Sequence, residues 1–586
     1  VVANADQGGG APLDPAVDRP YDRVAAAALM EPAGIVPEGR VSRELLTDDP
    51  AAPFGQRLDP DAVLEAFDAA WAGADGDDRA VVLVEASDLT RVTAYRERVT
   101  GSQFDAMWRA ALADTDRLLA RLLERVDPDR DAVLVLSPVA PVDGPALGVA
   151  VADAPAVDGG FLRSATTRRD GYVQLADVAP TVAELFGEEF DDEMEGRAFQ
   201  VSSDGATGAG SGRERAETLA EAARVSAFRD RMVAPVVLTM AVGLLAVGLA
   251  TLFRRRIPQR FLAVLPIVAL AGMGAVSATF LVGLAGTRSG SIPTYVVLVV
   301  AVTAALVALA LLVERGVAGG GLMVALGTVI VVIAGGLVVG VPVQVNTIFG
   351  YSVAVAGRFT GLGNLAFALL GSATIVLASI LADRHGANGR RVAMAVLVGV
   401  VLIEGLPILG GDVGGVLSMV PAFGVTALIL SGRRIGWREM VGLGALAAAT
   451  VMLFAFIDLA RPARDRTHLA RLAEHVLSGR WASFFDSLAR RGQASFGGAE
   501  GAAYAAIGLA AVAVAVYILL VAARRTGADA RRLDQPRPLV AAAAGLALLA
   551  VLGLVTNDSS FAVPATMLLV VVPVAILSTV PYGGEP

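Results

Sequence analysis

The stretch Gly350-Tyr-Ser-Val-Ala-Val-Ala-Gly-Arg-Phe-Thr-Gly-Leu-Gly-Asn364 sets Arg358 and Asn364 between two long apolar runs. Its glycines permit tight turns and close backbone approach, and irregular backbone at membrane depth is tolerated only where protein or a watery cavity receives its polar groups. The stretch therefore reads as one wall of a site inside a membrane protein. With 586 residues, 55% of them hydrophobic, and a mean hydropathy of +0.62, the chain is too apolar for an ordinary soluble protein.

Working outward, apolar runs long enough to span occur at about 233–253, 261–285, 295–313, 322–342, 364–382, 392–410, 413–431, 440–459, 502–523, 539–556 and 561–580, eleven in all. The loops sort by arginine. Arg254, Arg255, Arg256, Arg260, Arg315, Arg384, Arg390, Arg391, Arg433, Arg434, Arg438 and the group from Arg524 to Arg537 fall on one side, which the positive-inside rule makes cytoplasmic. Residues 1–232 carry 43 acidic residues against 23 arginines, and they are expected outside, with the C-terminus cytoplasmic. The loop 460–501 breaks the rule with seven arginines on the outer side. It holds two amphipathic stretches, Leu469 to Leu477 and Trp481 to Leu488, expected to lie in the outer interface or simply to pack there.

Four polar groups fall at the outer ends of the spans: Arg358 with Asn364; Glu404 with Asp412; Asp458 with Arg461, Arg464, His468 and Arg471; and Thr556-Asn-Asp-Ser-Ser560, which contains Asn557 and Asp558. Ionisable residues at membrane depth are costly and mark cavities or pathways, so one shared outward-facing site is expected; capping of separate helix ends is the plain alternative. Arginine forks at 358, 461 and 471 suit a phosphate or pyrophosphate, with Asn364, Glu404 and Asn557 as further substrate contacts. Asp412, Asp458, Asp558 or His468 would take the proton from an acceptor hydroxyl.

Residues 1–206 alternate short β-type runs (Val1–Ala3, Ala80–Val84, Ala132–Leu136, Leu147–Val151) with helical stretches such as Phe104–Val126, which predicts an α/β domain with a largely parallel sheet. The opening Val-Val-Ala-Asn-Ala-Asp reads as a strand entered midway, so an upstream segment with an export signal and the first strands is expected. Residues 201–213 have linker composition, and a polar helix from about Glu214 leads to the membrane. The expected division is thus 1–200, 201–232 and 233–586.

The runs Val82-Leu-Val-Glu-Ala-Ser-Asp88, Asp131-Ala-Val-Leu-Val-Leu-Ser137 and Asp177-Val-Ala-Pro-Thr181, followed by Gly196-Arg197, resemble the C-terminal half of the alkaline phosphatase-like superfamily. The resemblance implies that superfamily's α/β fold over roughly residues 1–200. Members hold two metals with Asp and His ligands, yet this chain has no histidine before His385, and Thr90-Arg91-Val92 follow Asp88 where a histidine is expected. With no cysteine either, no Cys-built zinc site is available, and these departures from the resemblance imply a metal-free fold kept as a scaffold or recognition module. Within it Thr166-Thr-Arg-Arg169 is the anion-binding candidate, since the guanidiniums of Arg168 and Arg169 stand beside two hydroxyls; a paired surface loop is the alternative.

The reading that unites these features is a multi-pass cell-membrane protein of bacterial envelope biogenesis. It would transfer a group from a polyprenyl-phosphate-linked or phospholipid donor, with membrane lipids as partners, no metal and no cofactor. A transporter or flippase of such a substrate and a non-catalytic assembly scaffold stay open beside it. The acidic extramembrane half, without a basic stripe, excludes nucleic acid as a partner.

Overall fold

A computed structural model describes residues 1–586 except 8–20, 32, 37, 73–78, 140–146, 156–158, 189–193, 195, 203–209, 254–255, 285–290, 355–358, 463–465, 478–537, 558, 560 and 579–586. The chain divides into two compact units, one of Val1–Gly144, Gly148–Asp158 and Thr181–Asp192, the other of Pro145–Leu147, Gly159–Pro180 and Glu193–Pro586. This division differs from the one expected at residue 200, because residues 159–180 and 193–200 belong with the membrane helices.

In the first unit, helix α1 (Pro60–Ala72) begins on Asp59, whose carboxylate accepts the N–H groups of Asp61 and Ala62 at 2.9 and 3.2 Å. A short α2 (Asp88–Ala94) precedes α3 (Gly101–Leu123), which opens with a reciprocal cap between Thr100 and Gln103. Apolar residues at helical spacing put Val63, Leu64 and Ala66 of α1 and Leu118 of α3 into one core with Val2, Leu45 and Leu58. Arg91 is fully buried there and donates to Asn4 O, Ser87 Oγ and Asp88 Oδ1 at 2.8, 2.9 and 2.8 Å.

The largely parallel sheet is not what forms among the described residues. Strands β1 (Leu46–Asp48) and β2 (Gln56–Leu58) pair antiparallel, as do β3 (Val133–Leu136) and β4 (Ala150–Asp153). Parallel pairing among the described residues is confined to single bridges, from Val2 to Arg40 and to Val84, from Arg163 to Tyr172 and from Val345 to Tyr351. A parallel return needs a crossover of a dozen or more ordered residues, usually a helix, whereas the proline- and glycine-rich connection from 137 to 149 has no helical periodicity and brings the chain back antiparallel.

In the second unit, β5 (Leu162–Arg163) pairs antiparallel with β6 (Gln200–Val201). Helix α4 (Val178–Leu185) follows β5 in the chain and is divided between the units after Pro180, and α5 (Gly212–Leu252) starts at a Ser211–Glu214 capping box and runs unbroken through Pro235. The remaining helices are α6 (Gln259–Leu262), α7 (Leu265–Leu284), α8 (Ile292–Gly316), α9 (Gly320–Ile330), α10 (Gly336–Val338), α11 (Asn364–Arg384), α12 (Gly386–Gly405), α13 (Val413–Leu430), α14 (Trp437–Leu459), α15 (His468–Leu477), α16 (Pro538–Thr556) and α17 (Ala562–Leu577). A π-helical turn at Val331–Gly335 joins α9 to α10 within one span.

Among the described residues nine helices are long and apolar enough to cross a membrane, and α17 is a shorter apolar helix. The expected span 502–523 lies outside the described residues. The central element is α11, almost wholly buried, packed against α9, α12, α16 and α17. Small residues make this possible: a Cβ on Gly371 would lie 2.8 Å from Leu549, and Ser372 and Ser379 return their hydroxyls to the carbonyls of Ala368 and Ile375. The outward faces of α8 and α14 carry exposed Val297, Val300, Val441 and Leu453, as lipid-facing helices do.

Candidate functional site at one end of the helices

Residues 339–354 and 359–363 between α10 and α11 have no regular helix, and the buried side chain of Gln344 organises them. It accepts the N–H of Gly363 at 2.8 Å and donates to Gly361 O at 3.4 Å, which supplies the entry to α11 with partners its own turns lack. Tyr351 donates its hydroxyl to Phe359 O at 3.1 Å, and Arg229 of α5 donates to Thr347 O at 3.0 Å. Gln344 is a residue that sequence reasoning missed; a lone amide in the Val341-Pro-Val-Gln344 break was its only signal.

A second break, 406–412, separates α12 from α13 and meets the first. The N–H of Leu362 donates to Gly410 O at 3.1 Å. Gly361 takes φ +82°, and a Cβ there would lie 2.2 Å from Gly410 O, so only glycine serves. Under this junction lie two buried carboxylates, Glu404 at the end of α12 and Asp412 before α13. A Cβ on Gly415 would lie 2.0 Å from Glu404 Oε1 and 3.1 Å from Asp412 Oδ2, so these two oxygens are no more than about 5 Å apart. Glu404 thus sits at the start of α13, where the free N–H groups and helix dipole favour negative charge. Asp412 holds the N-cap position, yet its side chain makes no capping bond, and Oδ2 accepts no hydrogen bond from any described residue.

The third contributor is the turn after α16. Thr556 Oγ1 lies 2.6 Å from Ser418 Oγ and donates to Gly414 O at 3.0 Å. Asn557 is buried beside Gly414 with its Nδ2 donating to no described residue. Asn364 at the start of α11 donates to Ser559 Oγ at 2.6 Å, closing the ring of segments.

Arg168 and Arg169 reach the same rim. The guanidinium of Arg168 donates to Thr360 Oγ1 at 2.6 Å and to Pro407 O at 3.5 Å, and Arg169 donates to Phe359 O at 2.9 Å. Tyr172 adds a ring contact with Phe359 at 6.1 Å. Asp177, fully buried, builds the turn that presents them: it accepts from Ser164 Oγ, Thr166 Oγ1, Gln174 N and Arg197 N at 2.6–2.9 Å. Gly196 packs so closely on Ala176 O that any side chain would collide. The Asp177 and Gly196-Arg197 motif thus orders an arginine turn.

Asp458 and Arg461 form a separate structure. Asp458 is fully buried, and its Oδ2 accepts Thr467 N, Thr467 Oγ1 and Ala470 N at 2.8, 2.6 and 3.0 Å, while Oδ1 accepts Arg461 Nη1 at 3.0 Å. It ties the start of α15 to the end of α14, and Leu469 and Ala473 pack beside Phe454 and Val416. None of these partners belongs to the first group. His468 and Arg471 lie on α15, their side chains outside the description, and Arg358, Arg464 and Asp558 lie outside the described residues.

In the first unit Asp88 accepts Leu58 N at 3.1 Å as well as Arg91, so it serves the core. Burial, with Asp22 nearby and Arg91 opposing, pushes the Glu85 carboxyl up to about 7. Among the described residues no three His, Asp or Glu side chains gather as metal ligands. Comparison with protein-family models, with curated proteins and with solved structures finds no match to this chain.

Proposed function

We propose that this membrane protein receives the phosphate head group of a lipid-linked donor at the polar end formed by 359–364, 404–415, Thr556, Asn557 and Ser559, and transfers a group from it to an acceptor hydroxyl. The carrying observation is the meeting of Arg168, Asn364, Glu404, Asp412 and Asn557 around two glycine-broken helix ends. A buried carboxylate oxygen to which no described residue donates is expensive to keep for stability alone and is suited to accept a proton. As the acceptor oxygen bonds to the transferred group and the donor phosphate leaves, the acceptor's proton passes to Asp412, while Asn364 and Asn557 orient the hydroxyls.

Arg256, Arg315, Arg384, Arg390, Arg391, Arg433, Arg434 and Arg438 lie in or beside the connections at the opposite ends of the spans, which favours an extracytoplasmic site. The phosphatase-like segment then serves recognition in envelope biogenesis. Transport or flipping of the same lipid is the second reading, favoured by the π-turn at 331–335 and the non-helical residues 339–354 and 359–363, the kind of irregularity that lines transport sites.

The test is complementation of a deletion strain by Asp412→Asn and Asn557→Ala, with phosphorus assayed on the purified chain. Loss of function at normal expression, with phospholipid or polyprenyl phosphate retained by the wild type, supports the proposal. Full complementation by both variants overturns it.

A further inference from the structure

Arg168 bridges the two breaks: one nitrogen reaches Thr360, just before α11, and another reaches Pro407, between α12 and α13. Those breaks are the rims of the polar group, and the residues beneath them are closed from solvent, with Asp412 6%, Asn557 5% and Glu404 0% exposed. Among the described residues, Asp412 is thus buried beneath the pinned rims. The turn that carries the pin is built to hold it in an uncommon conformation. Arg168 takes φ +51°, a left-handed conformation that is strained for a non-glycine residue. That geometry persists because Ser164 accepts Thr167 N, Arg168 N donates to Ser164 O, and Asp177 fixes Ser164 and Thr166.

We infer that residues 164–172 form a latch over the transmembrane site, closed in this structure, whose release opens the way for a lipid head group. The inference rests on the proposed site but not on its chemistry. Its described contacts with the two rims are two guanidiniums on a hydroxyl and two carbonyls with one aromatic contact, while Asp170 and Gly171 meet Ser202 and Leu219 on its other side. Net hydrogen-bond contributions of this kind permit an equilibrium between closed and open forms.

The absence of cysteine makes the test direct. Asn557→Cys is introduced alone, and again with Arg168→Ala and Arg169→Ala, and the rate of reaction with a charged, membrane-impermeant maleimide is measured on the full chain in detergent. Removing the latch arginines is expected to raise the rate at least about tenfold, corresponding to the loss of one to two hydrogen bonds. Thr360→Ala removes an acceptor without touching the turn and is expected to raise it by a smaller factor. Rates unchanged in both backgrounds, with elution volume and melting as in the parent, overturn the latch. The labelling needs no substrate, so the latch can fail while the site survives complementation tests, and the reverse.

Discussion

Two buried aspartates at helix ends, Asp412 and Asp458, should respond oppositely to the same change to asparagine. In Asp458→Asn, the amide oxygen placed at Oδ2 keeps Thr467 N, Thr467 Oγ1 and Ala470 N, and the NH2 then faces the Arg461 guanidinium. A charge-assisted hydrogen bond is lost, about 1.5–3 kcal/mol. At 1.4 kcal/mol per tenfold, the amides of Thr467 and Ala470 should exchange with deuterium roughly 10 to 100 times faster. Asp458→Ala strands the same donors and should cost about 1–3 kcal/mol more. In Asp412→Asn, Oδ2 loses no donor among the described residues, and asparagine is as good an N-cap residue, so amides at the start of α13 should exchange within about threefold of wild type. Function should nevertheless be lost in Asp412→Asn. Equal acceleration in both variants would make Asp412 structural, and wild-type exchange in Asp458→Asn would refute the energetic argument for the strap.

Gly361→Ala should sharply lower the melting temperature in detergent, since it combines φ +82° with a Cβ 2.2 Å from Gly410 O; Gly399→Ala, with open space around it, should not, and equal melting of the two would sink the close-contact argument. Because the folded carboxyl of Glu85 titrates at about 7 against the ordinary 4.5, the native state holds its proton more tightly, so stability is greatest below about pH 4.5 and falls as pH rises towards 7. Glu85→Gln should remove that loss, roughly 1–2 kcal/mol after allowance for partial exposure, read as slower exchange of Val2 N–H at pH 8 than in wild type and a smaller difference at pH 5. Ser102→Cys should react with an impermeant maleimide on intact cells, and Arg434→Cys only after permeabilisation; the reverse pattern would invert the topology.

The membrane spans were legible in the sequence because a span is a local property: about twenty apolar residues suffice, and nine of the eleven runs stand as membrane-length helices among the described residues. The gathering of Asn364, Glu404, Asp412 and Asn557 at one end was legible for a related reason, since strict alternation of short loops places every second loop together. The pairing of strands was not, because a β-run encodes its exposure and not its partner's direction, and the 137–149 return set β3 and β4 antiparallel. Nor did residue type separate Asp412 from Asp458. The first keeps an oxygen free of described donors while the second is consumed by four, a difference made by residues nine to twelve positions downstream folding back as α15. The arginine turn shows the same limit: Thr166-Thr-Arg-Arg169 advertised anion affinity, and only the tertiary fold, through the carboxylate of Asp177, aimed its guanidiniums at Thr360, Pro407 and Phe359. Composition determines which solvent a segment occupies; which polar atoms meet depends on distances that only packing sets.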